Sequence, residues 1–178
     1  VATAISKKIC LLGDFATGKT SLVRRFVYEL FDDRYISTIG VKVSRKTVAI
    51  PRDDDIVELT LMLWDLAGSD EFDRVRASYL RGASGAVLVC DLTRLETVDS
   101  LQFYARELRA ASPDAQLILA ANKVDLIDPY RPESQSALSL ERVQAVAARL
   151  GTPVHLTSAK TGNEVEALFR RLGRHLVG

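Results

Sequence analysis

Ile9-Cys10-Leu11-Leu12-Gly13-Asp14-Phe15-Ala16-Thr17-Gly18-Lys19-Thr20-Ser21-Leu22-Val23-Arg24-Arg25-Phe26-Val27 decides the fold of this chain. An apolar run ends in a G-x-x-x-x-G-K-[ST] loop, and Leu22, Phe26 and Leu30 then recur at helical spacing, so the stretch reads as strand, glycine loop and helix. Successive backbone N–H groups of such a loop, set at a helix N-terminus, turn toward a phosphate. Lys19 adds a positive charge, and the hydroxyl of Thr20 suits Mg²⁺. The loop therefore predicts a nucleoside-triphosphate site built from Gly13, Asp14, Phe15, Ala16, Thr17, Gly18, Lys19, Thr20 and Ser21.

Working outward, 178 residues with 47% hydrophobic and 26% charged residues predict one globular domain over 1–178, with a full core and no room for a second. A net charge of +1 and the lack of a basic stripe interleaved with aromatics argue against nucleic acid as a partner. Cys10 and Cys90 sit in apolar runs and read as reduced core thiols, which suits a cytoplasmic protein. No apolar stretch reaches a membrane span, and the first residues lack the charge pattern of a signal peptide.

Strands and helices alternate along the chain. Val41 to Ile50 and Val57 to Leu63 have period-2 character and are joined by Pro51-Arg52-Asp53-Asp54-Asp55, which predicts a hairpin with one antiparallel edge strand. Ala86 to Cys90, Leu117 to Ala121 and Val154 to Leu156 are short and wholly apolar, as parallel strands buried on both faces should be. Helices are expected over Val98 to Ala111, over Ser139 to Leu150 with Ser139 as N-cap, and over Asn163 to Val177 with Val165, Leu168, Phe169, Leu172 and Leu176 on one face. Asp128 to Ser136, rich in Pro and Ser, reads as a loop. The sum is an α/β fold: a six-stranded, mostly parallel sheet with one antiparallel edge strand and helices on both faces.

Ligands of such sheets gather beyond the carboxyl ends of the strands. There the sequence turns polar: Trp64-Asp65-Leu66-Ala67-Gly68, Asn122-Lys123-Val124-Asp125 and Thr157-Ser158-Ala159-Lys160. A carboxylate at Asp65 can hold the Mg²⁺ touched by Thr20, and Gly68 leaves room for backbone to approach a terminal phosphate. Asp125 can accept two hydrogen bonds from the N–H and amino group of guanine, a pair that adenine lacks. An adenine-nucleotide kinase or ATPase would leave the Asn122-Lys123-Val124-Asp125 match without a purpose.

The five segments, with Tyr35-Ile36-Ser37-Thr38-Ile39-Gly40 as the second, follow the order and approximate spacing of the Ras superfamily of small GTPases, which the chain resembles over essentially its whole length. Ser37-Thr38-Ile39-Gly40-Val41, Trp64 and Ser78-Tyr79-Leu80-Arg81-Gly82-Ala83 give it a Rab-like flavour, and the Ala- and Arg-rich, Lys-poor helices suggest a bacterial Rab-like protein. The resemblance implies GTP/GDP and Mg²⁺ as ligands, with Gly18, Lys19 and Thr20 on the phosphates and metal. It implies that Thr38, separated from Thr20 by seventeen residues, closes a first switch over the γ-phosphate and metal, that Asp65 supports Mg²⁺ through water, and that Gly68 senses the γ-phosphate. Tyr35 belongs to the same switch segment. Asn122, Lys123 and Asp125 would form the guanine pocket with Ser158, Ala159 and Lys160, with Phe31 leaning on the base. Effector, exchange-factor or activating proteins would then read the switch segments around Thr38 and Gly68 of a monomeric GTP hydrolase.

Two residues depart from the family at the catalytic step. The Gln that orients the attacking water is Ser69 here, too short to reach the same place from the same backbone. Phe15 stands where relatives carry a small residue, and its ring would crowd the side on which a partner's arginine finger enters. The expectation is a GTP/GDP switch with slow hydrolysis; the alternatives are that Asp70, Asp73 or a partner's side chain positions the water, or that the protein is a constitutively GTP-bound binding module.

Other polar clusters are assigned no chemistry. Asp53-Asp54-Asp55 reads as a solvated turn, His155 and His175 as packing or surface residues, and Arg170, Arg171 and Arg174 as the solvent face of the last helix. Membrane-acting relatives end in prenylatable cysteines, whereas no Cys follows Cys90, so this chain is expected to carry no membrane anchor; membrane association would require that a lipidated tail had been removed.

Overall fold

The computed structural model describes residues 3–31, 40–68, 73–128, 130–131 and 135–178. Six strands form one sheet in the order β2-β3-β1-β4-β5-β6. They are β1 (Thr3–Leu12), β2 (Val41–Arg52), β3 (Asp55–Leu66), β4 (Gly85–Asp91), β5 (Gln116–Asn122) and β6 (Val154–Leu156). All neighbours pair in parallel except β2, which lies antiparallel to β3 at the edge, its register running from Val41 opposite Leu66 to Arg52 opposite Asp55. Asp53 and Asp54 make the two-residue turn between them, Asp53 with φ of 51°.

Strand pleating sends alternate residues to opposite faces. In β1, Ile9 and Leu11 join one core and Cys10 and Leu12 the other; β4 divides Val87 and Val89 from Ala86, Leu88 and Cys90 in the same way. This two-sided burial is why the central strands are continuous apolar runs. Burial also pushes the Cys10 thiol up to about 11 and the Cys90 thiol up to about 12, so both stay protonated and unreactive.

The first core is roofed by α1 (Lys19–Tyr28) and α6 (Val165–Val177). There Phe26 stacks on Phe169 with ring centroids 4.2 Å apart. The second lies under α2 (Asp73–Leu80), α3 (Leu95–Asp99), α4 (Leu101–Ala111) and α5 (Gln135–Leu150). The helix leaving β1 thus lies on one face and the helix following β3 on the other, which opens a crevice beyond the carboxyl end of β1. Among the described residues no helix is long and apolar enough to cross a membrane.

Local readings need correction at several helices. Helix α1 ends at Tyr28, so Leu30 lies past the last turn and is exposed rather than on the buried face. The helix expected over Val98 to Ala111 is two helices, meeting at Ser100. The Ser100 hydroxyl lies 3.1 Å from the Glu96 carbonyl, a local contact that bends helices. Helix α2 has a weak apolar period, and its largest buried side chain is Arg76. Helix α5 begins at Gln135, not at an N-cap Ser139. Ser139 is an interior helical residue, fully buried, whose hydroxyl has no hydrogen-bond partner among the described residues.

An unmade hydrogen bond in a core gives the hydroxyl nothing to lose, so Ser139→Ala is expected to leave stability unchanged or raise it by about 1 kcal/mol. Urea unfolding measures this directly, and a loss of more than about 1 kcal/mol would contradict the buried placement of the side chain.

Candidate functional site

The segment leaving β1 turns sharply at Gly13, where a Cβ would lie 2.2 Å from the Val89 carbonyl oxygen, so only glycine lets the loop pass the end of β4. Thr17 closes it: its backbone N–H and its hydroxyl both donate to the Asp14 carbonyl, at 3.4 and 2.9 Å. Ala16 is held at φ of 61°, a left-handed conformation that costs a side-chain-bearing residue about 1–3 kcal/mol. Helix α1 then starts at Lys19, with Gly18 as an N-cap that provides no side-chain acceptor for its first N–H groups. Uncapped helix N–H groups beside a glycine loop form an anion site. Ser21 lies in the first turn of that helix, half-buried.

Lys19 is buried, and its ammonium donates to the carbonyls of Gly13 at 2.8 Å and Asp14 at 2.9 Å. Burial lowers it to about 8, against the opposing pull of Asp65 and Asp14. Two hard oxygens meet beside it: the Thr20 hydroxyl donates to Asp65 Oδ2 at 2.5 Å. Asp65 is itself buried, at the end of β3. Gly68 closes this side, where a Cβ would fall 2.7 Å from both the Gly13 carbonyl oxygen and the Phe15 backbone nitrogen. Phe15 keeps its ring half exposed at the lip of the loop.

The segment after β5 is tied to the back of the same loop. Buried Asn122 donates from Nδ2 to the Thr17 carbonyl at 2.9 Å and accepts at Oδ1 from the Thr157 hydroxyl at 3.1 Å. Lys123, with φ of 67°, donates to the Ala16 carbonyl at 3.0 Å, so the two left-handed residues hold one another. Its ammonium also pairs with Asp91 at 2.8 Å. Asp125 is exposed, and its Oδ1 accepts from the buried Ser158 hydroxyl at 2.8 Å, which restrains the carboxylate. Arg25 on α1 donates to the carbonyls of Ala159, at 2.7 Å, and of Lys160, so the segment after β6 is anchored to the helix that carries Lys19.

The structure brings together residues 13–21, Asp65, Gly68, the Asn122–Asp125 segment and residues 158–160. Phe31 lies past the end of α1 and is more than a third exposed. Tyr35, Thr38 and Ser69, with Asp70, lie outside the described residues. Asp73 begins α2 and pairs with Arg76 at 2.6 Å. Asp91, absent from the sequence reading, carries the same signal as Asp65 and Asn122, a polar residue ending an apolar strand.

A glycine loop feeding a helix at the crevice of a mostly parallel sheet, with its lysine buried beside a hydroxyl and a carboxylate, defines a phosphate-loop nucleotide-binding protein. The sequence profile of the Ras family matches residues 8–177. Among known proteins, the chain is 37% identical to Ras-related protein RABD2c of Arabidopsis thaliana over 163 residues, 91% of this chain and 76% of that one. It is 35% identical to GTP-binding protein ypt5 of Schizosaccharomyces pombe over 173 residues, covering 97% and 78% of the two chains. It is 32% identical to Ras-related protein Rab-1C of Dictyostelium discoideum over 166 residues, covering 93% and 78%. The chain belongs to the Ras family: it is a Rab-like small GTPase, a GTP hydrolase that binds guanine nucleotides.

The buried lysine would give polyphosphate binding beside it a pH signature. With its folded value below the 10.5 of a free lysine, the charged ammonium opposes folding below pH 8, and that opposition fades as pH rises toward 10.5. A polyphosphate bound beside the ammonium would favour the charged form, so binding above pH 8 would take up a proton. Affinity for GDP is expected to fall by up to about tenfold per pH unit above 8, and in Lys19→Met to be weak and flat with pH. Titration calorimetry in buffers of different ionisation enthalpy checks the proton uptake; a flat wild-type profile between pH 8 and 9.5 would contradict it.

Proposed function

We propose that the protein is a monomeric, single-domain GTP/GDP switch whose GTP hydrolysis is slow. The observation that carries the reading is the double tie of Asn122 and Lys123 to the Thr17 and Ala16 carbonyls, which makes the phosphate loop and the exposed Asp125 carboxylate parts of one rigid site. In this reading the backbone of Gly13 to Thr20, the first turn of α1 through Ser21 and the Lys19 ammonium hold the phosphates. Asp125 accepts the N–H and amino group of guanine, with Asn122, Lys123, Ser158, Ala159 and Lys160 shaping the pocket and Phe31 and Tyr35 flanking it.

Mg²⁺ would sit with Thr20, Thr38 and, through water, Asp65, where it would supply a positive charge to the β- and γ-phosphate oxygens. The contact between the Thr20 hydroxyl and the Asp65 carboxylate supports this, because it places two hard oxygen donors side by side next to Lys19. Thr38 and Gly68 would respond to the γ-phosphate, and the difference between the two nucleotide states would be read by partner proteins. Exposed Val43 on β2 lies opposite half-buried Trp64, which tilts onto Tyr79 of α2 at 6.2 Å between ring centroids, and with exposed Val75 on α2 these would offer such partners apolar side chains.

Slow hydrolysis follows from two side chains. Ser69, in place of the family's Gln, is too short to hold the attacking water, and the half-exposed Phe15 ring stands at the lip where a guanidinium from a partner would enter. Single-turnover hydrolysis tests this. Ser69→Gln in a Phe15→Gly background is expected to raise the intrinsic rate about tenfold or more. A wild-type rate equal to that of glutamine-bearing relatives, or no gain in the double variant, would overturn it.

A further inference from the structure

The phosphate loop carries a carboxylate, and the structure shows how that charge is held. Asp14 follows Gly13 directly, and its backbone carbonyl faces inward, accepting from Lys19 and Thr17. Its side chain leaves in another direction. Oδ2 lies 2.6 Å from the Ser100 hydroxyl, at the bend between α3 and α4, and Oδ1 lies 2.9 Å from the Tyr104 hydroxyl, one turn further on. A third residue of the same region, Arg94, donates to the Phe15 carbonyl at 2.9 Å.

The Tyr104 phenol is itself built to stay a donor. Burial, then the Asp14 charge, raise it well above its ordinary value, so it keeps its proton at any working pH. Its ring is held from α2 by Arg76, whose guanidinium carbon lies 5.0 Å from the ring centroid. Arg76 is almost wholly buried and is fixed by Glu107 at 2.7 Å and Asp73 at 2.6 Å. Burial opposes its charge, but these two carboxylates outweigh the opposition and keep it cationic. The Asp14 carboxylate therefore lies between two hydroxyl donors, one of them on a ring that packs against a buried cation.

We propose that Ser100 and Tyr104 are positioning residues for nucleotide binding, which hold the Asp14 carboxylate away from the phosphates that the loop receives. A negative charge one residue into a phosphate loop repels a polyphosphate across a few ångströms of poorly polarisable interior, where charges interact strongly. Two charge-assisted hydrogen bonds restrain it against that repulsion and leave the backbone N–H groups of the loop to the ligand. Because Arg76 buttresses Tyr104 from α2, the helix that follows Gly68, the restraint also depends on where α2 sits. The inference rests on the guanine-nucleotide reading and adds a role for residues outside the loop.

The test is the dissociation rate of mant-GDP, followed by fluorescence in the full chain. Tyr104→Phe keeps the ring that Arg76 packs on and removes one donor; Ser100→Ala removes the other. Each is expected to speed release about tenfold, because a hydrogen bond to a charged group is lost. Added to either, Asp14→Asn is expected to return the rate to within about threefold of wild type, since the neutral amide has no charge to repel the phosphates. Faster release that persists in the Asp14→Asn background would assign the two residues a purely structural role and overturn the proposal, as would unchanged rates in both single variants. Failure of wild type to bind mant-GDP would instead refute the guanine-nucleotide reading, while release accelerated for mant-ADP bound by the same variants would keep the charge argument intact.

Discussion

The site depends on hydrogen bonds that cross from the end of β5 to the back of the phosphate loop. Asn122 reaches the Thr17 carbonyl and Lys123 the Ala16 carbonyl, and these are the bonds that hold Ala16 in a conformation it would not adopt alone. A loop of backbone N–H groups is useful to a phosphate only if it is already shaped, because ordering it on binding would consume much of the affinity. The same two residues begin the segment that ends in Asp125. In the proposed function, loop shape and base recognition would thus share one set of contacts.

The sheet supplies the frame for this arrangement. Two-sided burial of β1, β4 and β5 fixes the heights at which their carboxyl ends stop, and Gly13, Asp91 and Asn122 stand at or just beyond those ends. Helices α1 and α6 cover one face, and Arg25 of α1 binds the Ala159 and Lys160 carbonyls, so the segment after β6 is drawn toward the helix bearing Lys19. On the other face, α3 and α4 reach the loop through Arg94, Ser100 and Tyr104.

The parts of this architecture legible in the sequence are those with short-range signals. The glycine loop, the apolar runs of the buried strands, the alternating hairpin and the polar strand ends each declare themselves within a few residues, and Asp91 carries the same signal as Asp65. The bend at Ser100 and the true start of α5 do not, because no glycine or proline marks the one and a buried serine mimics a cap in the other. The partnership of Asp14 with Ser100 and Tyr104, about ninety positions away, is invisible to any local pattern; it exists only once β4 and α4 are packed beside β1. Arg76 carries no signal of burial within a weakly patterned helix, and its carboxylate partners Asp73 and Glu107 make that burial tolerable.

The most direct test of this account is the base selectivity of the nucleotide-free protein, titrated in parallel with GDP and ADP in the presence of Mg²⁺. Two hydrogen bonds from guanine to a charged acceptor at Asp125 predict that GDP binds about a hundredfold more tightly or better. Equal affinity for the two diphosphates would contradict the account, because the ties between the Asn122–Asp125 segment and the phosphate loop would then position nothing that reads the base.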